Sequence, residues 1–148
     1  DDSAFYPPAL FNQLLKSHRQ HQAAISLLTV KVSDPAGLGR ITRNQQGQVT
    51  AIIEDKNANA RQRLIREINT GLFCFSRTFL TPALKRLRRN PLSGEYYLTD
   101  CVADAVARGL VVNPLLWPDA SVWHGVNTPA QLESAQDLWA RHQKDPSG

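Results

Sequence analysis

Apolar positions along the chain alternate between a helical period and a strand period. After Pro7-Pro8, a pair suited to a helix start, Leu10, Phe11, Leu14, Leu15 and His18 recur along one helical face. Residues 25–32 form a β-branched, near-continuous apolar run that predicts a largely buried strand. Two extended pieces, 40–43 and 48–54, flank the polar Asn44-Gln45-Gln46-Gly47 and predict a hairpin. Residues 57–66 are polar and read as a loop with a short helix, and 68–75 predict a further strand. Thr81-Pro82 offers either a helix cap with a first-turn proline or a bend in a helix that starts earlier. Leu84 and Leu87 mark its apolar face. From Leu98, apolar residues at Cys101, Val102, Ala105 and Val106 keep the helical period until Gly109 stops it. Residues 110–116 predict the last strand. Thr128-Pro129-Ala130-Gln131 combines a capping box with a first-position proline, opening a terminal helix with Leu132, Ala135 and Trp139 on its inward face.

Strands alternating with helices, plus one inserted hairpin, predict a layered α/β domain with a mixed sheet. Ligands of such sheets bind at the carboxyl ends of the strands. A chain of 148 residues with 42% hydrophobic content builds one core. It has no uninterrupted apolar stretch of about 18 residues, so no membrane span is expected. Cys74 and Cys101 have no metal-ligand spacing and predict reduced thiols in a cytoplasmic protein. The chain contains no Met, and its first residues resemble the end of a strand, so a fragment lacking an N-terminal part is expected.

The net charge of +4 changes this picture little. Its densest basic run, Lys85-Arg86-Leu87-Arg88-Arg89, lacks interleaved aromatics and reads as a solvated helix face, so no nucleic-acid partner is expected. A modest basic excess also suits polyphosphate substrates.

Candidate chemistry lies in four short polar motifs. They are Gly37-Leu38-Gly39-Arg40, Glu67-Ile68-Asn69-Thr70-Gly71, Gly94-Glu95-Tyr96-Tyr97-Leu98-Thr99-Asp100 and Gly125-Val126-Asn127. The last three set Gly near Asn, Glu, Tyr or Thr close to an apolar run, where backbone and polar groups can meet a ligand. Read residue by residue, they leave plainer alternatives open. Gly39 also suits a turn, Glu54 and Asn69 strand-end capping, Thr99 a helix cap, Asn127 a turn before the last helix, and Asp2 a plain terminal residue. Lys56 reads first as an exposed loop lysine, and His124 as structural.

Together with Asp34-Pro35-Ala36 and Ile53-Glu54-Asp55-Lys56, these motifs make residues 34–132 resemble a known family. It is the second half of the bacterial N-acetylglucosamine-1-phosphate uridyltransferase domain, among the sugar-phosphate nucleotidyltransferases. The resemblance implies a Rossmann-like nucleotide-diphospho-sugar transferase fold, N-terminally incomplete, with residues 1–148 as the sugar-acceptor half. It implies formation of UDP-N-acetylglucosamine from UTP and N-acetylglucosamine-1-phosphate, with release of pyrophosphate. By resemblance, Gly39, Glu54, Asn69, Tyr97 and Thr99 bind the sugar phosphate, while Asp2 and Asn127 hold Mg2+; no side chain is assigned as a covalent catalyst.

Several residues depart from the family pattern. Asp1 stands where Gly is usual before the metal Asp, Ser3-Ala4 replaces the common Val-Pro, and Leu38 stands where Tyr is frequent. The Gly-rich loop that holds the triphosphate is not in these 148 residues, nor is the hexapeptide-repeat domain of bifunctional members. The isolated chain is therefore expected to be inactive without the missing N-terminal half of the domain. The alternatives are a non-catalytic sugar-phosphate module, or a nucleotidyltransferase using another nucleotide or sugar.

Overall fold

A computed structural model describes residues 6–126 and 128–144. Its elements run α1 (Pro8–Gln20), β1 (Ile25–Lys31), β2 (Arg40–Arg43), β3 (Val49–Ile53), α2 (Ala60–Arg63), β4 (Glu67–Phe75), α3 (Arg77–Arg86), α4 (Asp100–Ala107), β5 (Val112–Leu116) and α5 (Pro129–Lys144). The five strands form one sheet in the order β3-β2-β4-β1-β5. β1 and β5 are parallel, and the β1–β4, β2–β4 and β2–β3 pairs are antiparallel. This is the mixed α/β architecture that the alternating pattern predicts.

β1 is buried from Ile25 to Val30, as its apolar run demands. Ile25, Leu27, Ile41 and Ile52 pack with Phe79, Ala83, Cys101, Val102 and Ala105, so α3 and α4 cover one side of the sheet. Full burial of each large aliphatic side chain contributes about 1.5–3 kcal/mol. Cys74 and Cys101 are free thiols.

α1 is narrower in its contact than its pattern suggests. Leu10, Leu14 and His18, spaced four apart, are buried, while Phe11 and Leu15 are exposed. A polar cluster anchors this helix: His18 Nδ1 lies 2.9 Å from Ser26 Oγ, and Asn113 Nδ2 donates to Ser17 Oγ at 2.9 Å. Burial, then the charge of Arg19, lowers the pKa of the His18 imidazole.

α3 settles the alternatives at Thr81-Pro82. The helix starts at Arg77, after Ser76, and Pro82 lies inside it. The buried face is Phe79 and Ala83, one turn apart, so Leu84 is exposed rather than inward. The helix ends at Arg86, and the basic run does not form one solvated face. Arg86 bonds both carboxylate oxygens of Asp104 on α4, and Arg89 donates from Nε to the Gly94 carbonyl. In α5, Ala135 is buried but Leu132 is exposed; the Trp139 side chain lies outside the described residues. Gln131 N donates to Thr128 Oγ1, as the predicted cap requires. No helix among the described residues is long and apolar enough to cross a membrane.

Strand β4 carries the irregularity that matters for the site. Leu27 pairs with Phe73 and Thr29 with Asn69, so β4 holds surplus residues between two partners on β1. Gly71 makes this bulge with φ +83°, a left-handed conformation that is costly for side chains with a Cβ. Thr70 Oγ1 donates to the Leu28 carbonyl at 3.1 Å and Tyr6 donates to the Thr70 carbonyl at 2.8 Å, which pins the distortion in place.

Candidate active site

The strand geometry brings sequence-remote motifs into one corner. Asn69 N donates to the Gly39 carbonyl at 2.9 Å, joining the approach to β2 to β4. A Cβ on Gly39 would lie 3.0 Å from the Ile52 side chain and 3.6 Å from each Glu54 carboxylate oxygen. Glycine there answers a close approach, a stronger reason than a turn. Thr99 Oγ1 donates to Glu54 Oε1 at 2.8 Å across 45 residues of sequence.

This geometry decides among the plainer readings. Thr99 occupies the N-cap position of α4, but its side chain makes no cap bond and turns to Glu54 instead. Glu54 precedes the 3-10 turn Asp55–Asn57 and likewise makes no side-chain cap. Its Oε2 has no hydrogen-bond partner among the described residues. Asn69 Oδ1 accepts from Gly71 N at 3.2 Å, leaving the amide Nδ2 as a donor. An acceptor and a donor held by neighbouring elements match the hydroxyl and amide groups of a sugar.

Tyr97 joins the same edge through a second chain of contacts. Its hydroxyl donates to Glu95 Oε2 at 3.0 Å and lies 2.7 Å from Ser93 Oγ, whose hydroxyl can donate in turn. Lys56, two residues after Glu54, bonds Glu95 Oε2 at 2.7 Å and lies 5.3 Å from the Tyr97 ring centroid. The Lys56 and Tyr97 bonds hold the Glu95 carboxyl below the usual carboxylate range, and the Glu95 and Tyr97 bonds raise Lys56. Glu95 thus ties the Tyr97 loop to the segment after β3, as an orienting residue would.

Arg40, the last residue of the first motif, takes a supporting role that the motif alone does not show. Arg40 is buried, and its guanidinium donates to the Leu38 carbonyl and, at 2.8 Å, to Asp55 Oδ1. It clips the segments on both sides of Gly39 and Glu54 together, while its Nε has no partner. The signal was present as an Arg opening an apolar strand, but nothing in the spacing marks Asp55 as its counter-ion. Asp2 and Asn127, the two expected metal ligands, lie outside the described residues. Among the described residues no group of three His, Cys, Asp or Glu side chains could hold a metal ion. The structure thus brings Gly39, Glu54, Asn69 and Thr99 together directly and attaches Tyr97 through Glu95 and Lys56.

The chain resembles known proteins along most of its length. A family model described as nucleotidyl transferase matches residues 2–140. The chain is 41% identical over 137 residues to the bifunctional protein GlmU of Limosilactobacillus fermentum, covering 93% of this chain and 30% of that protein. It is 44% identical over 119 residues to the protein of the same name from Neisseria gonorrhoeae, covering 80% of this chain and 26% of the relative. The chain therefore spans less than a third of these relatives. Among solved structures, a Bacillus anthracis protein described as a glucose-1-phosphate thymidylyltransferase in complex with sucrose matches with TM-score 0.66 and 17% identity. That match covers 86% of this chain and 48% of the other, and shows a shared fold.

Proposed function

The chain belongs to the nucleotidyl transferase family, and from that premise we propose that it is the sugar-acceptor half of a sugar-1-phosphate uridylyltransferase. The reaction is attack by a phosphate oxygen of N-acetylglucosamine-1-phosphate on the α-phosphate of UTP. The P–O bond to the β-phosphate breaks, releasing pyrophosphate and UDP-N-acetylglucosamine. Such chemistry depends on positioning and charge neutralisation, with little covalent work for the protein.

The observation that carries this reading is the 2.8 Å bond from Thr99 to Glu54 beside Gly39 and Asn69. In the proposed site Glu54 Oε2 accepts from a sugar hydroxyl, and Thr99 fixes the carboxylate that does so. Asn69 Nδ2 donates to the acetamido oxygen. The Gly39 backbone admits the sugar at close range, and Tyr97 borders the sugar phosphate on a loop steadied by Glu95. The five side chains and backbone groups hold the acceptor still, which is their contribution to rate.

Asp2 and Asn127 supply oxygen donors, the ligand type that Mg2+ takes. When bound there, the ion would neutralise phosphate charge. UTP needs the other half of the domain, and a cytoplasmic setting fits these substrates.

Titration calorimetry of the chain with N-acetylglucosamine-1-phosphate tests the reading. Binding is expected, and Asn69→Ala should weaken it about tenfold or more, the loss typical of a buried hydrogen bond to a polar ligand. An undiminished affinity in that variant removes the assignment. Supplying UTP and Mg2+ to the same chain should give no UDP-N-acetylglucosamine; turnover would overturn the division into halves.

A further inference from the structure

A second polar region lies at the start of β4, among residues the acceptor corner does not use. Lys31, at the end of β1, stands opposite Glu67 in strand register. Val32 N donates to the Arg66 carbonyl at 3.1 Å, which brings the next residue pair together. Lys31, Arg43, Arg61, Arg66, Glu67 and Thr42 are among the residues lining one cavity of about 680 Å³.

The charges in this cavity do not balance. Glu67 is its one carboxylate, and both oxygens are taken. Oε1 accepts from Thr29 Oγ1 at 2.8 Å and from Arg43 at 2.6 Å, and Oε2 accepts from Arg43 Nε at 2.9 Å. The remaining Arg43 nitrogen donates to the Gly47 carbonyl at 2.6 Å. Burial opposes ionisation of Glu67, but the Arg43 and Thr29 bonds overcome it and hold the carboxyl below its usual range. Lys31, Arg61 and Arg66 form no ion pair among the described residues, although the charge of Lys31 also acts on Glu67 across the strands.

Three exposed cations around one concavity, none in an ion pair among the described residues, concentrate anions there. Two are guanidinium groups, whose planar forks match phosphate oxygens. The cavity has room for more than one phosphate group; Ile41 and Ile65 are among its lining residues, but no stacking aromatic is. That lining favours a compact, multiply charged anion over a base-bearing strand.

We propose that this cavity binds an oligophosphate group, either free pyrophosphate or polyphosphate or the phosphate tail of a nucleotide, independently of the acceptor corner. Lys31, Arg61 and Arg66 supply the binding charges, while Arg43 and Glu67 form the rigid wall behind them. The inference does not rest on the proposed reaction, because none of these residues touches the acceptor corner.

Calorimetric titration of the chain with inorganic tripolyphosphate, pyrophosphate and orthophosphate, without metal and at low salt, tests it. Affinity should rise with the charge of the anion and fall as salt is added. Arg61→Ser/Arg66→Ser should weaken tripolyphosphate binding about tenfold or more, and Lys31→Gln should weaken it less. Asn69→Ala should leave it unchanged, which separates this cavity from the acceptor corner. Both substituted arginines are exposed, and matching circular-dichroism melts would verify that the variant folds. UTP binding as tightly as tripolyphosphate identifies a nucleotide tail as the source, and weaker UTP binding identifies the free anion. The proposal is overturned by no tripolyphosphate binding, by equal binding in the Arg61/Arg66 variant, or by tighter binding of a single-stranded oligonucleotide.

Discussion

The acceptor corner and the basic cavity both draw on strand β4, Asn69 for one and Glu67 for the other, yet they hold their charge in opposite ways. Around Glu54 the polar groups bond one another: Thr99 to the carboxylate, Asn69 to the Gly39 carbonyl, and Arg40 to Asp55 and Leu38. Around Arg66, three cations face one space and only Arg43 is paired with the lone carboxylate. The first arrangement is fixed before any ligand arrives and is suited to selecting shape and orientation. The second gathers exposed cations without ion pairs among the described residues and is suited to selecting charge. The difference is between preorganisation and electrostatic attraction as sources of binding.

Three perturbations would break or sharpen this contrast. The largest effect is expected for Glu67→Ala, which leaves Arg43 and the buried Thr29 hydroxyl without their partner. Chemical denaturation should show a loss of about 2–3 kcal/mol, and a loss near zero would mean that the pair is not a structural wall. The depressed Glu67 pKa also fixes a pH dependence. Its contribution is complete above the ordinary value of 4.5 and is lost as pH falls below it, because the unfolded state then binds more protons. A smaller effect is expected for Thr99→Val, which removes one donor from Glu54. A loss of about 1 kcal/mol in stability should accompany weaker N-acetylglucosamine-1-phosphate binding, whereas unchanged binding would make Thr99 merely structural. The smallest effect is expected for Arg61→Ser/Arg66→Ser without ligand. Its melting temperature should equal or slightly exceed that of the parent at low salt, with the difference vanishing as salt rises. A marked fall would show that these cations have partners and would erase the contrast.

Much of this organisation was legible in the order of residues. β1 is nearly all apolar and buried, and the hairpin turn, the α4 helix and the Thr128 cap follow from local chemistry that acts within a few residues. The motifs proposed to form the acceptor corner were legible for a different reason, since as an ordered set they resemble a known family, and the chain belongs to the nucleotidyl transferase family. What escaped the sequence depends on contacts between distant segments. The two alternatives left open at Thr81-Pro82 are decided by Phe79 and Ala83, which fix the helix on the core with Pro82 inside it. Phe11 and Leu15 read as inward, but only the residues spaced by four from Leu10 meet the sheet. Arg40–Asp55, Lys56–Glu95 and Arg86–Asp104 are charge pairs between separate elements, and each partner alone reads as an ordinary surface residue. The basic cavity was hidden for the same cause. The eye goes to the consecutive run 85–89, whereas the unpaired charges come from Lys31, Arg61 and Arg66, which only folding assembles.

The bulge at Gly71 has a mechanical consequence for the strand that carries it. Below it, Phe73 and Phe75 stack at 5.4 Å and follow the register of Leu27 and Ile25. Above it, Asn69 and Glu67 follow the register of Thr29 and Lys31. The surplus residues, pinned by the Thr70 and Tyr6 bonds, let one strand keep two separate pairings with β1, one for its aromatic end and one for its polar end.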